Sequence, residues 1–145
     1  MLNFVSMWTC PFCTQHFQNS HQTHYCTNQT VVDFVKEKSD HANTLYHHFA
    51  QTYLAMGDIR AHATKTMIVF KSLKNFAYVI RFGRDFIDIV FPFKTAYPDN
   101  LCFSKIAQVP GTNEYNHHLR IYHVEDVNDE VKYYMKEAYN HGKAI

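Results

Sequence analysis

Between Phe76 and Phe91 the chain alternates with a period of two on both sides of Gly83-Arg84. Phe76, Tyr78, Ile80 and Phe82 share one parity before the glycine, and Ile87, Ile89 and Phe91 share one parity after it. Successive side chains of a strand point to opposite faces, so each run can bury one face as a β-strand. A Gly-X pair between two such runs predicts a two-residue turn of type II′. That turn opposes Phe82 to Asp85, Ile80 to Ile87, Tyr78 to Ile89 and Phe76 to Phe91, with the large apolar residues on one face. The other face brings Arg81 diagonal to Asp88, within reach of an ion pair.

The rest of the chain divides around this hairpin. Thr66 to Lys71, Leu101 to Ala107 and His117 to Val124 read as further strands, separated by the turn sequences Pro98-Asp99-Asn100 and Pro110-Gly111-Thr112-Asn113. Upstream, Thr30 and Asp33 open a short helix over 31–37. Ser39 or Asp40 caps a longer helix over 40–56, with Ala42, Leu45, Phe49, Tyr53 and Met56 on one stripe. Gly57 is expected to end that helix in the left-handed conformation. Asp126 opens a last helix over 126–141, with Val127, Val131, Tyr134 or Met135, and Ala138 as its buried stripe and Gly142 as its stop. Helices kept apart from a mainly antiparallel, five-stranded sheet over about 64–124 define an α+β fold. The 145 residues, 46% of them hydrophobic, with 12 Phe and 10 Tyr, are enough for one real core. The organisation expected is a small unit over 1–28 and an α+β domain over 29–145.

Several function classes fall away on composition. The net charge of +1 gives no strong basic field for duplex DNA. Four scattered glycines leave no G-x-G-x-x-G or G-x-x-x-x-G-K loop to cradle a phosphate. No apolar run approaches the roughly 18 residues of a membrane span. The segment from Met1 to Met7 has no cations and no long apolar run, which predicts no secretory signal and a cytoplasmic setting.

Three of the four cysteines, Cys10, Cys13 and Cys26, fall in the first 26 residues. In a reducing compartment that clustering points to a metal before it points to disulfides. A C-x₂-C turn lets two thiolates reach one tetrahedral Zn²⁺, and Trp8 and Phe17 supply the apolar cover a small hairpin lacks. His24 and Cys26, one residue apart, complete a C-x₂-C-x₁₀-H-x-C set, because side chains two apart on an extended strand share a face. His16 and His21 are rival donors. Four protein ligands close the shell, so the zinc expected here, held by Cys10, Cys13, His24 and Cys26, is structural. The spacing departs from C-x₁₂-H-x₃₋₅-H and brings no recognition helix, so the unit is ribbon-like rather than a DNA-reading finger.

The pattern Trp8-x-Cys10-x-x-Cys13, Phe17, then Gln22-Thr23-His24-Tyr25-Cys26 resembles the opening of the small bacterial proteins of domain of unknown function 5655. Thr64-Lys65-Thr66, His117-His118-x-Arg120, Asp126-x-x-Asp129-Glu130 and Glu137-Ala138-Tyr139 resemble that family as well, so the likeness spans 8–142. Thr14 departs from it, where the family commonly carries Gly. The resemblance implies no activity.

The residues that could carry chemistry are few. His117 and His118 are strand neighbours on opposite faces and cannot chelate one ion together. There is no H-E-x-x-H and no G-x-S-x-G, and Cys102 reads as a core thiol. Two readings stand. One is a zinc-stabilised binding or adaptor module whose sheet face or cleft takes a peptide or single-stranded nucleic acid, with Tyr and Phe near Arg81, Lys71 and Lys74 available for stacking. The other is a small enzyme acting on an anionic substrate in a cleft that holds Lys65, His118 and Arg120.

Overall fold

The structure is a computed structural model that describes residues 31–144 and two short strands, β1 (Trp8–Thr9) and β2 (His16–Phe17). These two pair antiparallel, Trp8 opposite Phe17 and Thr9 opposite His16. Cys10, Cys13, His21, His24 and Cys26 lie outside the described residues, as does the side chain of His16.

Three helices follow from capping and apolar spacing. The first, α1 (Val31–Lys36), buries Phe34 and Val35. Ser39 then caps α2 (Asp40–Leu54): its Oγ accepts from the Ala42 N–H at 3.1 Å, satisfying an amide the helix leaves open. The same hydroxyl donates to the Arg84 carbonyl at 2.7 Å, tying the helix start to a sheet turn. Ala42, Leu45, Tyr46, Phe49, Ala50 and Tyr53 form the buried stripe. At the far end, Asn128 caps α3 (Asp129–Gly142) through Oδ1, which accepts from the Val131 N–H at 3.0 Å. Val131, Met135, Ala138 and Tyr139 are its buried face.

The sheet has six antiparallel strands: β3 (Arg60–Ala63), β4 (Ile68–Lys71), β5 (Asn75–Phe82), β6 (Ile87–Phe93), β7 (Phe103–Gln108) and β8 (Tyr115–Ile121). Their order is β3-β4-β5-β6-β8-β7. Registered rows run across it. Ile68, Val79, Ile89, Leu119 and Phe103 make one row, all packed in or against the core under the helices. Val69, Tyr78, Val90, His118 and Lys105 make the next, on the opposite face. Rings of Tyr53, Phe49, Phe70 and Phe76 meet at 5.2–5.5 Å between α2 and the inner face. The buried Tyr53 hydroxyl donates to the Met135 carbonyl at 2.8 Å, linking α2 to α3.

The α+β class holds, with six strands in place of the expected five. The additional strand, β3, reads Arg-Ala-His-Ala, four residues whose alternation rests on two alanines, too short and small to announce it. The strand expected from Leu101 starts at Phe103, and Leu101 is 98% exposed. The strand expected over 117–124 runs over Tyr115–Ile121. A 3₁₀ turn at Val124–Asp126 takes up the remainder, so Asp126 does not cap α3; its Oδ2 accepts from the Tyr122 and His123 amides.

The central hairpin is formed by the expected strands in a different register. Phe82 faces Ile87, Val79 faces Ile89, and Tyr78 faces Val90, around a four-residue connection in which the Gly83 N–H donates to the Phe86 carbonyl at 2.8 Å. β5 carries an extra residue at Phe76 and another at Ile80, where the register shifts against β4 and β6. Between those two points the alternation is inverted. Ala77 and Val79 enter the core, whereas Tyr78 and Ile80 turn to the opposite face.

The glycines serve close packing more than turning. Gly83 has no positive φ, so the type II′ expectation fails; the edge of the Phe86 ring occupies the space a Cβ would need. Gly57 is no left-handed cap either. Ala55 ends α2 in right-handed geometry, and the Tyr139 hydroxyl abuts Gly57.

Candidate ligand groove on the outer sheet face

Inversion within β5 creates a groove of about 420 Å³ on the face opposite the helices. Its apolar lining comes from Met67, Ile80, Val90, Pro92 and Val109. Tyr78, Glu114, Asn116 and His118 supply polar groups. The β7–β8 hairpin sets the wall that carries Val109 and Glu114. Val109 donates its N–H to the Glu114 carbonyl at 2.8 Å, and Thr112 donates its N–H to the Val109 carbonyl across Pro110-Gly111. Gly111, at φ 76, fits the third position of a type II turn, where a side chain is disfavoured.

The groove is electrostatically mixed. Burial raises the Tyr78 phenol above its ordinary range, and the Glu114 carboxylate pushes it the same way, against an Asn75 hydrogen bond. Burial also lowers His118, with Lys105 adding to the effect and Asp88 opposing it. His118 is therefore mainly a neutral ring at neutral pH, and Glu114 is the formal charge among the lining residues.

The three side chains expected to share a cleft are separated by their local bonding. His118 lines the groove. Arg120, on the same face of β8, gives Nε to Asp88 Oδ1 at 2.7 Å and a second nitrogen to Asp88 Oδ2 at 2.9 Å. Its guanidinium lies 3.8 Å from the Phe86 ring centroid. Those hydrogen bonds to Asp88 are the largest cause of the raised Arg120 pKa. Lys65 is exposed in the β3–β4 turn and does not line the groove, while its neighbour Thr64 accepts from the Thr66 and Met67 amides. Arg81 does stand opposite Asp88 in register, yet the carboxylate bonds Arg120.

On the inner face His117 is fully buried. Its Nε2 is 3.1 Å from the Tyr97 amide nitrogen, and its Nδ1 is 2.9 Å from the Tyr115 carbonyl. The Phe93 and Phe103 rings stand 4.9 Å from it. The two adjacent histidines do point to opposite sides of the sheet. Cys102, expected in the core, is only partly buried against it; burial, with a smaller push from Glu130, lifts its thiol to about 12, so it holds its proton. Among the described residues no group of three or more His, Cys, Asp or Glu could hold a metal.

Sequence reasoning found His118 but missed Tyr78, Ile80, Glu114 and Met67. The signal existed in the wrong phase: Tyr78 and Ile80 belong to the alternation that places them in the core, and the extra residue at Phe76 reverses that placement until the one at Ile80 restores it.

A two-layer α+β fold with an antiparallel sheet and one groove-bearing face defines the architectural class. The sequence profile of the family Domain of unknown function (DUF5655) matches residues 31–142, and the chain belongs to that family. The matched span is the helix-and-sheet unit; the Trp8–Cys26 opening precedes it. No curated protein matches the chain, and no solved structure does. No helix among the described residues is long and apolar enough to cross a membrane.

Proposed function

We propose that this chain is a small binding module that takes an extended peptide segment in its outer-face groove. One observation carries the reading: aliphatic side chains from β5, β6 and the β3–β4 and β7–β8 turns line a trough with a carboxylate, Glu114, at its wall. Such lining, mostly apolar with a few polar groups, suits a ligand that buries hydrocarbon and offers a cation. A segment with aliphatic side chains and one Lys or Arg has that chemistry. Nucleic acid is supported less, because Arg120 is bonded to Asp88 and Phe86 is packed under that guanidinium against Gly83. The enzyme reading is also supported less, since Lys65 and Arg120 do not join His118 in the groove.

Zinc belongs to the same proposal. Three thiolates and one imidazole from Cys10, Cys13, His24 and Cys26 are a donor set that suits tetrahedral Zn²⁺ in a structural role. The ion would stabilise the N-terminal hairpin, with the sheet as the ligand-bearing part.

Selection of a random peptide library on the full chain tests the binding reading. Enriched peptides should pair aliphatic residues with Lys or Arg, and Ile80→Lys should lose them by at least about tenfold, the loss of one buried side chain's contacts. Enrichment of acidic peptides, retention by Ile80→Lys, or no enrichment beside tight binding of oligothymidylate would overturn it.

A further inference from the structure

The Tyr97 amide and the Tyr115 carbonyl fix the state of His117. A backbone N–H can only donate and a carbonyl can only accept, so Nε2 is the acceptor and Nδ1 carries the single proton. The ring is neutral, fully buried, and fastens the loop over residues 94–102 to β8. Asn100 folds that loop on itself by bonding the Tyr97 carbonyl and accepting from the Phe103 N–H at 3.1 Å.

We propose that His117 is a proton-released latch: a proton arriving at Nε2 breaks its bond to the Tyr97 amide and frees the 94–102 loop from the aromatic cluster beneath it. Two N–H groups cannot share the 3.1 Å gap as donor and acceptor. The Phe93, Phe103 and Tyr97 rings pack closely around the imidazolium, and the backbone partners at Tyr115 and Phe91 offset its burial only in part.

Among the described residues no compensating charge stands at the ring. On β8 the neighbours are the Tyr115 carbonyl and, on the far face, His118. From β6 come the Phe93 ring and the Phe91 backbone; from the loop, the Tyr97 phenol; from β7, Phe103 with the protonated Cys102 just before it. From α3, Tyr134 and His141 reach the cluster through Phe93, and Glu130 and Glu137 act on Tyr134 and Tyr97. Among the described residues no carboxylate is bonded to the imidazole.

Burial lowers the His117 pKa from its ordinary value, outweighing its backbone hydrogen bonds. The sign follows from linkage. The opened form takes up a proton as pH falls below about 6.5, while the closed form resists, so closure weakens toward acid and is at full strength above that value. Each pH unit costs the closed state up to about tenfold until it titrates itself.

Hydrogen exchange of the Tyr97 amide, corrected for intrinsic rates, tests the latch in the full chain. From about pH 7.5 to about pH 5.5 its protection should fall about tenfold, while the Val90 amide holds. His117→Asn should show weak Tyr97 protection at both values. Nitrogen NMR of the unmutated protein gives a test independent of that variant: the Nδ1–H tautomer should be present at neutral pH and disappear in step with Tyr97 protection. Constant Tyr97 protection, or a proton on Nε2 at neutral pH, would overturn the proposal.

Discussion

Asp88 and Arg120 meet across β6 and β8 as a two-pronged ion pair, directly opposite one another in register. Phe86, four residues past the end of the β5 alternation, lies beneath the guanidinium and against Gly83. One carboxylate, one cation and one ring thus close the end of the central hairpin.

The pair and the ring should act as a unit. Arg120→Lys keeps the charge but loses the planar fork and the stacking, so its thermal midpoint should fall. Asp88→Asn should lower it too, and the double variant should fall by less than the two single effects together. Strict additivity in that cycle would show that the contacts are independent.

Gly142 and Phe76 define a second close approach, with the Phe76 ring in the space a Cβ would take. Gly142→Ala should cost about 1–3 kcal/mol in urea denaturation, the usual range for overpacking a filled site. Pairing it with Phe76→Leu should recover part of that loss. If the double variant is less stable than either single one, the contact is not the cause.

Tyr53 is buried and donates to Met135. Tyr53→Phe removes that bond while keeping the ring, so stability should fall by about 1 kcal/mol. Equilibrium unfolding reads this directly, and an unchanged midpoint would show that the hydroxyl contributes nothing.

The zinc proposal has its own readout. Elemental analysis should find about one zinc per chain, as a single four-ligand site requires. Cys13→Ser or chelation should abolish it and leave the sheet folded, because the core cluster is drawn from Phe34 to Tyr139. A folded, zinc-free protein as isolated would reject the site, and global unfolding on chelation would show that the hairpin supports the sheet.

The layout of helices and sheet could be read from pattern and caps, because apolar stripes of period 3.6 and 2 report directly on burial. Ser39 was recognisable as a cap, and the stripe from Ala42 to Tyr53 lay where the spacing placed it. Strand β3 was hidden because Arg60 to Ala63 is a four-residue edge strand whose only apolar side chains are two alanines. Asp126 misled because an acidic residue before a helical run looks the same whether it caps the helix or the turn ahead of it. The groove was illegible for a subtler reason: extra residues in a strand leave no mark on composition, yet they decide which parity faces the helices. The ion pair of Asp88 was legible only in part: a cation on the outer face was expected, but Arg81 was named, and Asp88 stands opposite both Arg81 and Arg120 and bonds the second.

The two irregularities in β5 have one further consequence. They cancel each other, so Phe76 and Phe82 both face the helices while Ala77 to Ile80 run out of phase. Had the same residues paired without these irregularities, strict alternation would hold along the strand. Tyr78 and Ile80 would then crowd the helices, and Ala77 and Val79 would floor a flatter, featureless outer surface. The trough is in that sense a property of two unpaired positions, which set the facing of every residue between them.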